Sequence, residues 1–300
     1  MAGKDRLLLG LVIPVIIPRF FIIEPTRICN FSCFMCPNRF YKKTEKGHMS
    51  IDTYNTVINQ VALFAEAIQL YWMGEPLLNP NIIKFIEIAK LKTMAIITIS
   101  TNGSLLIPEI TDELLATGLD KIIIDIDANT PAVYSKIRSA GSFESLISNV
   151  EYILSRSKNT EVILQFLDFK INHSEQDQFI DRWQRENCKT RIDWIDTWAN
   201  QMPELANLAH SISPYANEIR RPCADLWHKV TVNYLGDVNL CCHDYNPLYN
   251  FGNINRDNVI DLWNAAPLNN IRETHISKTY NGLCKDCVEW AMDEEYKELV

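Results

Sequence analysis

Cys29, Cys33 and Cys36 lie in one short run, RICNFSCFMCP. The spacing Cys-x3-Cys-x2-Cys supplies three thiolates to a metal centre and leaves a fourth position unfilled. Structural zinc usually takes four protein ligands, and here the only nearby fourth candidate is His48. On an iron–sulfur cube, three protein ligands leave one iron free to bind something else. A second group follows near the other end: Cys223, Cys241 and the pair Cys284-x2-Cys287. Those four ligands suit a closed zinc ribbon or an iron–sulfur cluster equally well by count.

These residues must be held by a sizeable fold. The chain has 300 residues, 47% hydrophobic and 22% charged, enough for one large domain or a main domain with a smaller one attached. A net charge of −8 argues against nucleic acid or an anionic membrane as partner. The basic cluster Lys42, Lys43 and Lys46 reads as an exposed loop. The apolar run LLLGLVIPVII is about half of what a membrane span needs, is interrupted by Pro14 and precedes no small-residue cleavage site. It is expected to be an arm packing on the core, in a cytoplasmic protein whose nine cysteines serve metal ligation rather than disulfides.

Between the two cysteine groups, β-rich runs alternate with helical patterns. Strands are expected at Phe20–Ile23, directly before the first cysteine group, and after it at Ala67–Trp72, Ala95–Ser100, Lys121–Ile126, Glu161–Asp168 and Arg191–Trp198. The intervening helices are expected at Ser50–Ala65, Asn81–Leu91, Pro108–Thr117, Pro131–Ser155 and Ser174–Glu186. Ser50 suits an N-cap, and Pro108 and Pro131 suit first-turn positions. Strand-then-helix repeated six times predicts an α/β fold, a parallel barrel or open sheet, with its chemistry on loops at the C-terminal strand ends. The first cysteine loop falls at such an end. The rhythm stops around Ala199–Arg221. Beyond it, Lys229–Asn233 and Asp237–Cys241, joined through Leu235-Gly236, predict a β-hairpin, followed by a helix near Val259–Ile276 and a last one after Cys287.

The run CNFSCFMCP resembles the signature of the radical S-adenosylmethionine (SAM) enzymes, with Met35 where an aromatic residue usually precedes the third cysteine. Later segments resemble the family in the expected order. YWMGEP resembles its Gly-Gly-Glu motif, with Met73 replacing the first glycine and Gly74, Glu75 and Pro76 matching. STNGSLL offers Ser100 and Asn102. IIIDIDANTPAVYSKIR places Asp125 where a serine is common, Asp127-Ala128 where Asp-Gly is common, and Arg138 at a position that often binds the SAM carboxylate. VILQFLDFKINHSE offers Gln165 and Asn172 at the barrel mouth. The C-terminal cysteines, with GDVNLCCHD, FGNI and IDLWN, resemble the SPASM extension in its shortened twitch form.

The resemblance implies a partial (β/α)6 TIM-like barrel over residues 20–200, after an arm over 1–19. A linker over 201–221 and a small C-terminal twitch domain (β-hairpin plus helix) over 222–300 complete it. It implies two 4Fe–4S clusters: one on Cys29, Cys33 and Cys36 that binds SAM, and one auxiliary cluster on Cys223, Cys241, Cys284 and Cys287. Gly74, Glu75, Pro76, Ser100, Asn102, Asp125, Arg138 and Gln165 are the implied cofactor contacts. In this family SAM is cleaved to a 5′-deoxyadenosyl radical that abstracts a hydrogen atom from substrate, with electrons from a reductase, flavodoxin or ferredoxin.

The expected activity is dehydrogenation of a small polar, sugar- or aminocyclitol-like molecule, with the auxiliary cluster taking an electron. An epimerase is the alternative, with Cys242 as hydrogen-atom donor if strand alternation turns it away from Cys241. A peptide-modifying enzyme is a third reading, although no added peptide-recognition domain is visible before the cysteine loop. A zinc-binding interaction protein is the reading from another class. His243 and Asp244 are polar neighbours of Cys242. Trp194, Asp196 and Trp198 would share one face of the sixth strand, and Cys188 reads as a packing residue at the end of a helix.

Overall fold

The computed structural model describes residues 15–184, 188–210 and 219–290. Most of the expected arm, the last two residues of the predicted helix ending at Glu186, the middle of the linker (211–218) and the tail beyond Trp290 lie outside the described residues.

Among the described residues one sheet holds nine strands: β1 (Phe20–Ile23), β2 (Ala67–Gln69), β3 (Ile96–Thr101), β4 (Lys121–Asp125), β5 (Glu161–Leu167), β6 (Cys188–Asp193), β7 (Lys229–Val232), β8 (Asp237–Asn239) and β9 (Asn250–Asn253). Their order is β6-β5-β4-β3-β2-β1-β7-β8-β9. Strands β1 to β6 are parallel, each joined to the next by a helical crossover. They form the partial (β/α)6 TIM-like barrel, with the helices outside.

Period-two alternation decides what each face carries. Phe21, Ile23, Ile68, Ile97, Ile99, Ile122, Ile124, Val162, Leu164 and Phe166 are fully buried against the helices. The other face carries Gln69, Ser100, Asp125, Gln165, Arg191 and Asp193, and the register sets Asp125 beside Gln165 and Gln165 beside Arg191. The strands thus place a polar row inside the barrel.

The helices are α1 (Ile51–Val61), α2 (Ile82–Lys92), α3 (Pro108–Ala116), α4 (Pro131–Ile137), α5 (Phe143–Arg156) and α6 (Gln176–Trp183), then α7 (Asp225–His228), α8 (Val259–Trp263) and α9 (Ala266–Ile276). Ser50 caps α1 by accepting the Thr53 N–H at 3.1 Å. Tyr54 of α1 stacks on Phe85 of α2 with centroids 4.0 Å apart. Among the described residues no helix is long and apolar enough to cross a membrane.

Several expected boundaries change. The predicted helix over 131–155 is two helices, because the chain leaves α4 at Arg138 (φ −104°, ψ 83°) and turns through Ala140 at φ 75°. Gly141 follows where a Cβ would lie 2.5 Å from the Tyr134 hydroxyl, and Ser142 caps α5. The helix predicted over 259–276 also breaks, between Trp263 and Ala266. Strand β2 stops at Gln69, three residues early, freeing Tyr71 and Trp72 for the interior.

The sixth strand begins earlier and ends earlier than expected, so Trp194, Asp196 and Trp198 follow it rather than share its face. Trp198, Ala199 and Asn200 all have φ near +60° (57°, 55° and 62°), which no strand permits. Cys188 opens this strand instead of closing a helix, and it packs on the core as expected. The C-terminal strands extend the barrel sheet: β7 pairs in parallel with β1, and β8 returns antiparallel through Gly236 at φ 89°. Strand β9, the FGN segment, was not foreseen. Of the arm, Ile16 is described, and its N–H and C=O pair with the Asn264 side chain at 2.9 Å each.

Candidate functional site

The first cysteine loop leaves β1 and is fixed by side chains at its base. Glu24 and Arg27 form a buried two-pronged pair at 3.0 and 2.9 Å. Burial works against the charge on Glu24, while Arg27 and the Tyr234 N–H at 3.0 Å support it. Asn38 donates to the Arg27 and Met73 carbonyls, tying the loop to the segment after β2. Gly74 sits so close that a Cβ would lie 2.2 Å from the Thr26 carbonyl oxygen, so a side chain there would push this segment off the loop. The Trp198 indole N–H holds the Met35 carbonyl at 3.1 Å.

Cys29, Cys33 and Cys36 line a cavity of about 110 Å³ together with Gly74, Glu75 and Asn102. Burial pushes the thiol of Cys29 up to about 11 and that of Cys36 up to about 12. Three adjacent thiols in so dry a setting become thiolates only when a cation offsets their charge. This donor set, sulfur only and three in number, fits an iron–sulfur cube with one iron left for another ligand. His48 is exposed and does not line this cavity, so it offers no fourth ligand.

Glu75 is buried, and its oxygens accept from the Leu77 N–H (3.1 Å), the Thr101 hydroxyl (2.7 Å) and the Asn102 N–H (2.8 Å). Burial nevertheless raises its carboxyl to about 7. It locks the loops after β2 and β3 together beside the cysteines. Pro76 does not line the cavity; it is buried and opens a short 3-10 turn.

Arg138 is turned inward by the break after α4. Its guanidinium meets Asp127 through Nε at 2.7 Å and Nη2 at 2.5 Å, and faces Asp125 at 3.6 Å and the Cys33 sulfur at 4.0 Å. Asp127 is fully buried at φ 60° and also accepts the Leu167 N–H. Sequence reasoning treated Asp127 only as a variant of the Asp-Gly pair; its grip on Arg138 has no signal in the spacing. Asn172, expected at the mouth, is instead buried in the turn after β5. It donates to the Asp127 and Leu167 carbonyls, at 2.8 Å each.

A larger cavity of about 320 Å³ opens inside the barrel. It shares Cys36, Tyr71, Trp72, Ser100, Asp125 and Arg138 with the smaller one. Gln165 lines only this larger space, beside Arg191, which donates to its amide oxygen. Burial raises Asp125 to about 6 despite Arg138, and its Oδ1 has no partner among the described residues. Trp194, Asp196 and Trp198 line the cavity although they are not on a strand.

The far wall belongs to the C-terminal segment. Cys223, Cys241, Cys284 and Cys287 together line one small void of about 20 Å³. Burial raises the Cys284 thiol to about 12, so these four thiols also suit a bound cluster. Cys242 lines the large cavity, while its neighbour Cys241 lines the void. The Cys242 sulfur lies 3.8 Å from His243 Nδ1, and the Trp72 indole N–H reaches the Cys242 carbonyl.

His243 and Glu289 line both spaces. His243 Nε2 meets Asp196 Oδ2 at 2.7 Å; burial opposes its charge, but Asp196 and Cys242 hold it well above its usual range. Burial also opposes the charge on Glu289, yet His243 and hydrogen bonds from Asp196, Thr197 and Cys287 bring it down to about 2. Asp244, read from sequence as a polar neighbour of Cys242, is fully buried and caps the following turn through the N–H groups of Leu248 (2.9 Å) and Tyr249 (3.1 Å).

Comparison with known proteins matches residues 23–179 to the Radical SAM superfamily and residues 223–288 to an iron–sulfur cluster-binding domain. The chain is 25% identical over 283 residues to the S-adenosyl-L-methionine-dependent 2-deoxy-scyllo-inosamine dehydrogenase of Niallia circulans, spanning 91% of this chain and 95% of that one. It is 30% identical over 139 residues to the AdoMet-dependent heme synthase of Methanosarcina barkeri, a match that spans only 39% of the synthase and 45% of this chain. A probable GTP 3′,8-cyclase of Methanocaldococcus jannaschii is 26% identical over 200 residues, 65% of its length and 66% of this chain.

Among solved structures, BtrN in complex with AdoMet and 2-DOIA superposes with a TM-score of 0.64 at 20% identity, covering 91% of this chain and 93% of that one. Streptococcus suis SuiB bound to its precursor peptide gives 0.69 at 14% identity, covering 90% and 71%. Both likenesses concern the fold.

Proposed function

This chain belongs to the radical SAM superfamily, and from that premise we propose that it dehydrogenates an alcohol carbon of a small polar molecule of the sugar or aminocyclitol class. Its cofactors are SAM with a 4Fe–4S cluster, and an auxiliary iron–sulfur cluster in the C-terminal segment. Cys29, Cys33 and Cys36 would hold the first cluster, and Cys223, Cys241, Cys284 and Cys287 the second. When bound, these groups supply a 5′-deoxyadenosyl radical that takes a hydrogen atom from substrate, and an acceptor for one further electron. A reductase, flavodoxin or ferredoxin is the proposed electron donor.

The observation that carries the reading is one shared space. The 320 Å³ cavity has Cys36, Ser100, Asp125 and Arg138 in common with the first cysteine site, and Asp225, His243 and Glu289 in common with the second. A substrate seated there would touch both sites. Its volume is at the small-molecule end of ligand pockets, which favours a sugar-sized compound over a peptide chain. Trp72, Trp194 and Trp198 would cover apolar ring faces, while Asp193, Arg191 and Gln165 would orient hydroxyl or amino groups. The similarity to the inosamine dehydrogenase over nearly the whole of both chains supports the same class.

Oxidation of CH–OH to C=O releases a hydrogen atom, an electron and a proton. The proton falls to this chain's own residues. Asp125 lines the cavity, is held at about 6 and keeps Oδ1 without a partner among the described residues, so it is the proposed acceptor. Arg138, gripped by Asp127, would stay charged beside it and orient a carboxylate of SAM. Glu75 and Asn102 would fix the loops that receive the amino group.

Cys242 favours a second reading, epimerisation, because it lines the same cavity. Turnover in deuterated water separates the two. A ketone or aldehyde product without solvent deuterium supports dehydrogenation, and a redox-neutral product carrying carbon-bound deuterium contradicts it.

A further inference from the structure

Away from the cavity, three side chains bring ligand atoms close together on the barrel rim. Asp168 directly follows β5, His173 opens the 3-10 turn His173–Glu175, and His210 ends the described stretch after β6. His173 Nδ1 lies 2.9 Å from Asp168 Oδ1, and His210 Nδ1 lies 3.2 Å from Asp168 Oδ2. All three ligand atoms fall within 4.8 Å of one another. The imidazoles stack with centroids 3.2 Å apart and planes 7° from parallel.

Backbone contacts bring the three together. The Asp168 N–H donates to the Asp193 carbonyl at 2.8 Å, Lys170 N–H to Leu208 at 2.9 Å, and His210 N–H to Asp168 at 3.3 Å. Phe169 and Ala209 form an antiparallel bridge between the same stretches. Asn172 holds the turn from inside, accepting the Phe169 N–H at 2.7 Å.

We propose that Asp168, His173 and His210 bind a divalent transition-metal ion of the zinc class, through one carboxylate oxygen and the two Nδ1 atoms. Imidazole nitrogen with a carboxylate oxygen is a donor set that such borderline cations favour. Both histidine side chains are 43% exposed, so water can complete the coordination and accept hydrogen bonds from the Nε2–H groups.

The ion would clip the loop after β5 to the stretch that follows β6. That stretch contributes Ile195, Met202, Leu205 and Ala209 to a cluster over Phe31, Cys33 and Met35 of the cysteine loop. The site would therefore steady the cover of the cysteine loop without touching substrate. It uses none of the seven cysteines, so it stands apart from the proposed reaction.

The test uses anaerobic holoenzyme with its clusters filled, Zn2+ alone as probe, and zinc and iron measured on the same dialysed sample. Wild type is expected to retain one zinc per chain beyond its iron, and its unfolding midpoint should rise with added Zn2+. His173→Gln and His210→Phe, the latter keeping a stacked ring, should each weaken zinc retention by about tenfold or more with iron content unchanged. Should His173→Gln lose iron and so fold poorly, His210→Phe decides alone. Wild type that takes up no zinc at micromolar Zn2+, or a well-folded variant that retains as much as wild type, overturns the proposal.

Discussion

His243 Nε2 lies 2.7 Å from Asp196 Oδ2, and this contact ties the stretch after β6 to the residue two places beyond Cys241. One partner lines the cavity wall next to the barrel and the other lines both the cavity and the second cysteine void. Asp196→Asn would leave a mostly buried imidazole without its hydrogen-bonded charge partner, at a cost of about 1–3 kcal/mol. Anaerobic urea unfolding should register that loss. If the pair also orients the cavity wall, kcat/KM falls more than iron content does.

Asp127 is fully buried and grips Arg138 through two nitrogens. Asp127→Ala would leave a buried guanidinium with only Asp125, at 3.6 Å, as carboxylate partner, so a loss approaching about 3–5 kcal/mol is expected, with weaker SAM binding in equilibrium dialysis. Asp127→Asn keeps one acceptor and should lose less. Equal stability in all three proteins would show that Arg138 finds another partner.

The pH dependence follows from Asp125. Burial raises it from 3.8 to about 6, so it is protonated below about 6 and able to accept a proton above. Turnover should therefore fall as pH drops through about 6, and Asp125→Asn should flatten that limb at a much reduced rate. Because the raised value means the folded chain binds this proton more tightly than the unfolded chain, its ionisation weakens folding between 3.8 and about 6. Stability against pH in wild type and Asp125→Asn reads this term separately from catalysis.

Much of this arrangement was legible in the residues. The cysteine spacings, the strand–helix rhythm and the hairpin around Gly236 are local patterns, and the chain follows them. Residues that act at a distance were not legible. Asp127 and Arg138 are joined by a break in a helix that periodicity predicts as continuous. Trp194, Asp196 and Trp198 read as one strand face, because alternation continues past Asp193 where the backbone does not. Asn172 and Asp244 are polar and near the chemistry in sequence, yet both are spent on buried turns. The extension of the sheet by β7 beside β1 depends on a pairing across some two hundred residues, which no local pattern encodes.

Cys242 lines the cavity with its sulfur near His243. In a dehydrogenase its thiol transfers no hydrogen to substrate, so Cys242→Ala should keep turnover and give the same product. Mass spectrometry of that product from deuterated water checks this directly. Loss of product with this substitution, together with carbon-bound deuterium in wild type, would make the enzyme an epimerase.

The account turns on two cysteine sets that each hold a cluster, and anaerobic reconstitution with iron analysis and nucleoside detection tests it most directly. Wild type should carry about eight irons per chain and release 5′-deoxyadenosine when reduced with SAM. Cys29→Ala should lose about four irons and all of the nucleoside, while Cys284→Ala, disturbing only the second set, should keep nucleoside release. Zinc in place of iron, or no 5′-deoxyadenosine from the fully loaded wild type, would contradict it.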